Sequence, residues 1–392
     1  MTRDPVSDYR IFSADSHVSE PGDLWVQRID KEFRFRAPRL ERRERNGRME
    51  DLWIYEGFPP HPVGVGLGAA VRTGPGTSNF REEGKGYADA LAGGWDPAER
   101  LKDMDLDGVE GEILHTTLGF RLFWIQDPQL LSACFRVYND WLSEYCSHSP
   151  HRLIGVPLIS LYDIEEARQE LRRAAKMGLR GAMIWLSPPA GYPDYTSQLY
   201  DPFWAESQEL DMPIVLHENT GGAESRLSPS SYWDRNLSLS AMIRSHEPQR
   251  TIAQLIMSGV VERFPRLKFI SAENGLDWLP WYISRVKRAR GGATSFGAKL
   301  TMEPIEQFHR NFFFTYIDNP EAVEHRQTIG IDNLMFATDY PHTASTWPNS
   351  QEVVKRDITT WEVPEEEKRK LVHDNVLNVF NIAAPVPVQQ GV

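Results

Sequence analysis

Cysteine is nearly absent from this chain, with two residues among 392. Cys134 and Cys146 fall on one helical pattern and do not make a metal-binding pair, so the reading is a cytoplasmic protein with two ordinary thiols. Positive charge is also short: 43 Lys and Arg stand against 55 Asp and Glu, for a formal charge of -12. That balance argues against nucleic acid or an anionic membrane surface as partner. It leaves room for an anionic small molecule, because a local arginine or a metal overrides the global field. No apolar run approaches the roughly 20 residues of a membrane span. The start, Met1-Thr-Arg-Asp-Pro-Val6, lacks the pattern of a signal peptide. No Gly-x-Gly-x-x-Gly follows the first strand, which speaks against an open dinucleotide-binding sheet. Internal repeats and low-complexity tracts are missing too.

The composition is otherwise that of a soluble globular protein, at 41% hydrophobic and 25% charged. Short β-rich runs alternate with helical patterns. The strand candidates are Ile11–Ala14, Gly111–His115, Ile154–Leu158, Gly181–Trp185, Pro213–Leu216, Lys268–Ser271, Phe312–Tyr316 and Asn333–Ala337. Helical periodicity marks Gln129–Ser147, Ile164–Met177, Asp201–Leu210, Thr251–Arg263, Leu279–Ala289 and Asn319–Ile329. This alternation predicts an α/β fold, a single (β/α)8 TIM barrel over the whole chain. Gln27–Gly108 is too long for one crossover and is read as an inserted lid over the barrel mouth. Arg290–Glu303 reads as a Gly/Ala/Ser-rich connection, and the tail after Ile382 as flexible or packed on a neighbour.

Chemistry is expected at the C-terminal ends of the strands. Asp15 and His17 sit two apart on the first strand and point to one side of it. An Asp-x-His pair suits a divalent metal that accepts mixed nitrogen and oxygen ligands, though alone it reads as a capping Asp beside a surface His. His217 ends the fifth strand, Glu273 the sixth and Asp339 the eighth. Each follows an apolar run, where an unpaired charge is costly, and a shared metal explains why they converge.

Asp15-Ser-His-Val-Ser-Glu-Pro21, the His217 strand, Glu273-Asn-Gly with Trp278-Leu-Pro280, and Asp339-Tyr-Pro-His342 with Trp347-Pro348 resemble the amidohydrolase-related metal-dependent enzymes. The resemblance is to the branch holding aminocarboxymuconate-semialdehyde decarboxylase and γ-resorcylate decarboxylase. It runs from Ile11 to Ile382 and includes the Asn375–Phe380 ending. It implies a (β/α)8 barrel with one divalent ion, Zn²⁺ or Mn²⁺, held by Asp15, His17, His217 and Asp339. It also implies a homodimer or homotetramer. Two positions depart from the pattern. Glu273 stands where these decarboxylases usually carry a histidine, and it reads as general acid, base, ligand-orienting group or extra ligand. Asp15 stands where many relatives have His or Glu.

His342, three residues after Asp339, is a catalytic or ligand-orienting candidate. Arg121 and Trp185 are candidates to face substrate, the arginine by bidentate contact with a carboxylate. Glu20 reads as fixing the loop before Pro21 or as orienting a ligand, and Glu218 and Asn219 as capping the next segment or as contacting bound water. His115 and His246 are weaker candidates, and the other histidines read as surface or core.

Three functions are weighed. In the first, the metal positions an aromatic or unsaturated carboxylic acid, Asp339, Glu273 or His342 protonates the ring carbon, and carbon dioxide leaves. In the second, metal-bound water, with Asp339 or Glu273 as base, hydrolyses an amide, ester, lactone or C–C bond next to a carbonyl. In the third, the barrel is a metal-stabilised scaffold without activity. Retention of all four proposed ligands argues against the third.

Overall fold

The computed structural model describes residues 9–45, 47–63, 71–72, 80–81, 86–222, 237–289 and 300–383. Eight parallel strands organise them: β1 (Ile11–His17), β2 (Val109–His115), β3 (Leu153–Gly155), β4 (Ala182–Met183), β5 (Ile214–His217), β6 (Phe269–Ala272), β7 (Phe312–Tyr316) and β8 (Leu334–Phe336). Each matches one of the runs read from the sequence. They form a three-stranded sheet, β1-β2-β3, and a five-stranded sheet, β4-β5-β6-β7-β8, rather than one continuous ladder. Single contacts bridge the two seams. Leu158 makes an isolated parallel bridge to Met183. At the other seam the Asp339 N–H donates to the Asp15 carbonyl (2.9 Å) and the His17 N–H to the Tyr340 carbonyl (2.6 Å). These last bonds place the ends of β1 and β8 side by side.

Local chemistry explains the helices. Asp127 caps Pro128–Cys146 by accepting from the Gln129 and Leu130 N–H groups, and Pro128 sits at the start, where no N–H is needed. Asp163 caps Ile164–Lys176, which carries Glu165 and Glu166 in its first turn and Arg173 and Lys176 in its last. The helix expected over 251–263 is instead two, His246–Met257 and Val260–Arg263, because Gly259 takes φ 74° and breaks the ladder. The helix expected over 319–329 likewise divides into Pro320–Glu324 and Arg326–Ile329.

The long segment after β1 has structure of its own. Its basic stretch folds as a hairpin, Arg39–Arg45 against Arg48–Ile54, with His61–Pro62 as a third strand. Arg39, Arg43 and Arg42 pair with Glu41 and Asp51 across and along it. The segment packs on the turn that follows β1: Trp53 meets Trp25 at 5.3 Å, the Leu40 N–H donates to the Gly22 carbonyl, and the Tyr87 hydroxyl donates to the Ser19 carbonyl. Residues 64–70, 73–79 and 82–85 of this segment, most of the 290–303 connection and the tail from 384 lie outside the described residues.

Under β1 lies a buried polar brace. The Arg100 guanidinium donates to Glu112 (2.6 Å) and to the His17 carbonyl (2.7 Å), and covers the Tyr340 ring at 4.3 Å. Glu112 in turn accepts from Ser16, which shares Thr338 with Ser13. Removing one partner of a buried ion pair leaves the other charge uncompensated. Arg100→Ala should therefore lower unfolding stability by about 3–5 kcal/mol in urea titration. Arg10→Ala, which breaks the exposed pair with Glu110, should cost less than about 1 kcal/mol. Equal small losses would show that the brace carries no such weight.

Candidate metal centre

Four strand ends deliver the expected residues to one place. Asp15 and His17 lie inside β1 rather than after it, and a register shift between Ser13 and Ser16 turns this end of the strand. His17 Nε2 is 3.3 Å from Asp15 Oδ1 and 3.3 Å from Asp339 Oδ1. His217 Nε2, at the end of β5, is 3.5 Å from Asp15 Oδ1. Glu273, just past β6, reaches within 3.7 Å of His17 Nε2 and 3.8 Å of His217 Nε2. Two strand-end carboxylates sit on left-handed backbone, Glu273 at φ 56° and Asp339 at φ 54°. Such conformations are uncommon outside glycine and collect at functional sites. Asn274 holds the β6 turn by donating to Leu216 O, Ala272 O and Ser271 Oγ, each at 3.0 Å.

The tautomers are set by the surrounding backbone. His17 Nδ1–H donates to the Thr116 carbonyl and His217 Nδ1–H to the Glu218 carbonyl, both at 2.8 Å. In its neutral form each ring then turns the lone pair of Nε2 toward the cluster. Asp15 Oδ1, His17 Nε2, His217 Nε2 and Asp339 Oδ1 are all buried without a hydrogen-bond partner. Buried polar atoms are normally satisfied, so four converging orphans of ligand type fit a divalent cation. Asp15, His17, His217 and Glu273 offer ligand atoms within 4.8 Å of one another, and so do His17, Glu273, Asp339 and His342.

Among the protein groups alone, the charges are divided. Burial works to raise Asp15, but His217 and His115 beside it hold the carboxyl well below its usual range. Burial, then the charge of Glu273, drives Asp339 well above that range. Burial also opposes ionisation of Glu273, yet contact with His17 and His217 keeps it low. Burial and the neighbouring His17 press His342 well below the imidazole range. A bound cation favours the deprotonated form of every ligand it meets.

His342 stacks on His17 at 3.9 Å. Its Nδ1 lies 2.8 Å from Asp339 Oδ1, out of line for a hydrogen bond, and its Nε2 is 3.0 Å from Thr117 Oγ1. Glu20 has the structural role expected of it. Its carboxylate accepts from Thr116 Oγ1 and from the Thr117, Leu118 and Gly119 N–H groups, fixing the loop after β2. Arg121 leaves this loop to approach His61 at 3.3 Å and to lie over the Trp124 ring at 5.1 Å. Trp185 is buried, with its indole N–H donated to Phe123 O and its ring against Tyr162 and Tyr192. The structure records no contact of either residue with the cluster. Glu218 is more than a capping residue: it lies 3.5 Å from Arg244, and burial pushes its carboxyl up to about 7. His246 is exposed at the start of the His246–Met257 helix, and the structure records no contact of it with the cluster. His115, ranked low from the sequence, is inside: its Nε2 is 3.6 Å from Asp15 Oδ1, and burial pushes it down to about 3. Its position at the end of β2 was the available signal, masked by the lack of a second polar residue in spacing.

Purified protein should hold close to one equivalent of divalent metal by elemental mass spectrometry. An Asp15→Ala/His17→Ala double variant and His217→Ala should each lose it. Because the imidazoles must be neutral to ligate, and Asp15 and Glu273 hold His17 and His217 above the ordinary imidazole range against the effect of burial, retention should also weaken as pH falls. A fully metallated His217→Ala would remove His217 from the centre.

The amidohydrolase family profile matches residues 52–382. A γ-resorcylate decarboxylase of Rhizobium radiobacter is 28% identical over 273 residues, 66% of this chain and 82% of its own. Among solved structures, an amidohydrolase from Mycobacterium avium subsp. paratuberculosis K-10 superposes with a TM-score of 0.76 at 23% identity, covering 95% of this chain and 99% of its own. A dihydroxybenzoic acid decarboxylase from Polaromonas sp. JS666, with bound manganese and the inhibitor 2-nitroresorcinol, superposes at 0.63 with 18% identity over 95% of this chain and 97% of its own. With the profile spanning most of the sequence, the chain belongs to the amidohydrolase family.

Proposed function

We propose that this protein is a metal-dependent non-oxidative decarboxylase of an aromatic or unsaturated carboxylic acid. The observation that carries the reading is the convergence of unpartnered, buried Asp15 Oδ1, His17 Nε2, His217 Nε2 and Asp339 Oδ1. These four residues would hold one Zn²⁺ or Mn²⁺. The resorcylate-decarboxylating relative and the manganese-bound dihydroxybenzoate-decarboxylating neighbour support the substrate class. When bound, the ion supplies Lewis-acid attraction for the substrate carboxylate and an adjacent oxygen.

The chain's own residues do the rest. Glu273, His342 or Asp339 delivers a proton to the ring carbon that bears the carboxylate. The new C–H bond forms there, the C–C bond breaks, its electron pair restores the ring, and carbon dioxide leaves. Arg121 is the proposed partner of a substrate carboxylate, and Trp185 the proposed aromatic wall. The 27–108 segment, docked on the turn after β1, is read as a lid on a closed (β/α)8 barrel, all one domain. The buried thiols of Cys134 and Cys146 agree with a cytoplasmic enzyme, and a homodimer or homotetramer is the proposed assembly.

Glu273 favours a second reading. A carboxylate in place of a histidine at the end of β6 suits a general base for water, as in hydrolysis of an amide, ester, lactone or C–C bond next to a carbonyl. Bicarbonate separates the two. A decarboxylase run backward at high bicarbonate should carboxylate resorcinol-type phenols with label from ¹³C-bicarbonate, whereas a hydrolase incorporates none. Under the proposed roles, Glu273→Gln should lower kcat by about 10²–10⁴ while metal content stays unchanged. Unaltered turnover would give Glu273 a structural role. Arg121→Ala should raise KM several-fold with little change in kcat, and an unchanged KM would remove it from substrate binding.

A further inference from the structure

Arg244 follows the Leu237–Ile243 helix. Its guanidinium stands beside the end of β5, with Nη1 3.5 Å from Oε2 of Glu218, the residue after His217. A Cβ placed on Gly275, two residues after Glu273, would lie 3.8 Å from Arg244 Cδ, in ordinary contact. Arg244 therefore spans the turns after β5 and β6, the two strands that end at His217 and just before Glu273. Asn219, next along the β5 turn, takes the left-handed backbone also seen at Glu273 and Asp339, with φ 71°.

The Arg244–Glu218 pair is only half satisfied. At 3.5 Å its contact is longer than a hydrogen bond. Arg244 Nε and Glu218 Oε1 are both buried with no hydrogen-bond partner, and so is Asn219 Oδ1. Nε and Oε1 each share a carbon with an atom of the ion-pair contact, so an unmet donor and an unmet acceptor stand on adjoining groups. Leaving both unpaired is costly, which points to a ligand that meets them. A hydroxyl does so, because it accepts from an N–H and donates to a carboxylate oxygen. A second carboxylate is poorly matched: Glu218 already compensates the guanidinium and would repel it.

We propose that Arg244 and Glu218 recognise a second ring hydroxyl of the substrate, beyond the oxygen that accompanies the carboxylate. The inference rests on the proposed function and adds the pair that selects among its aromatic acids. Arg244 Nε–H donates to that hydroxyl, and Glu218 Oε1 accepts from it. A substrate without the group leaves both buried atoms unpaired, which makes the discrimination steep.

The test uses full-length protein loaded with Mn²⁺, and probes in which a nitro group, unable to leave as carbon dioxide, replaces the carboxylate. Calorimetry compares 2-nitrophenol with derivatives carrying one further hydroxyl at each remaining ring position. At least one derivative should bind the wild type about tenfold or more tightly than 2-nitrophenol does. Arg244→Met and Glu218→Met should each bring that ratio to within about twofold of unity. Metal content and thermal melts check that the variants fold and load, and the wild-type ratio does not depend on them. A ratio near unity for every derivative in the wild type, or an unchanged ratio in a folded, loaded variant, would overturn the assignment. Absence of binding by every probe would overturn it too. Carbon dioxide release from the matching 2-hydroxybenzoates is measured alongside. No release with the ratio intact would overturn the decarboxylase reading and leave the role of the pair standing.

Discussion

Burying carboxylates together is the constraint on which the rest of this structure depends. Asp15, Glu273 and Asp339 meet around His17, with Asp15 and Asp339 closed to water and Glu273 nearly so. Like charges at this separation cannot all persist in a medium of low dielectric without a compensating cation. Among the protein groups alone the compensation falls to His17 and His217, which burial works against charging but which the neighbouring Asp15 and Glu273 hold above the ordinary imidazole range; the buried guanidinium nearby, Arg100, is already committed to Glu112 and to the His17 carbonyl. The imidazoles of His17 and His217 are turned by backbone acceptors at Nδ1, so that in the neutral form their lone pairs face inward. A divalent ion answers both features at once, since it neutralises two carboxylates and accepts the lone pairs.

The frame reaches that centre through few points. The seam between β1 and β8 is held by two backbone hydrogen bonds, and both belong to metal-site residues or their neighbours. Asp15 and Asp339 are thereby joined through main chain as well as facing each other with side chains. Glu20 performs a similar service on the β2 side. By gathering the N–H groups of 117–119 it places the Thr116 carbonyl under His17 and the Thr117 hydroxyl beside His342. A single buried carboxylate thus orients one proposed ligand and one proposed catalytic group through the same short loop.

Much of this was legible in the sequence because it repeats a simple rule: an apolar run followed at once by a polar residue able to ligate. Asp15, His17, His217, Glu273 and Asp339 all obey it, and all meet in space. The rule was blind where position and not pattern decides. His115 carries no companion residue in spacing, so only the pairing of β2 with β1 brings it to Asp15. The segment read as a lid gave no sign of strands, yet the arginines of 39–45 alternate with Glu41 and face Asp51 across a hairpin, which stabilises strands. Periodicity carried one helix across 251–263, where Gly259 in left-handed backbone divides it. Residues that follow a strand by several positions, such as Arg121, are aimed by loop geometry that no local pattern encodes.

Exposure separates the groups that hold from the groups that can exchange protons. The side chains of Asp15, His17 and His217 are 0% exposed and that of Asp339 2%. Glu273 and His342 are each 14% exposed while still within 3.9 Å of each other. A ligand benefits from complete exclusion of water, which strengthens its hold on a cation. A proton donor has the opposite need, since it must recover a proton from solvent once in every turnover. Glu273 and His342 thus have the readier access to solvent, whereas burial and the charge of Glu273 favour the protonated form of Asp339. Thr117, in contact with His342 and tied to Glu20 through its own N–H, then stands at the boundary between the closed metal shell and the wetter side of the pocket. His342 stacks on His17 and lies 3.9 Å from Glu273, so the two less enclosed groups stand together at one side of the cluster.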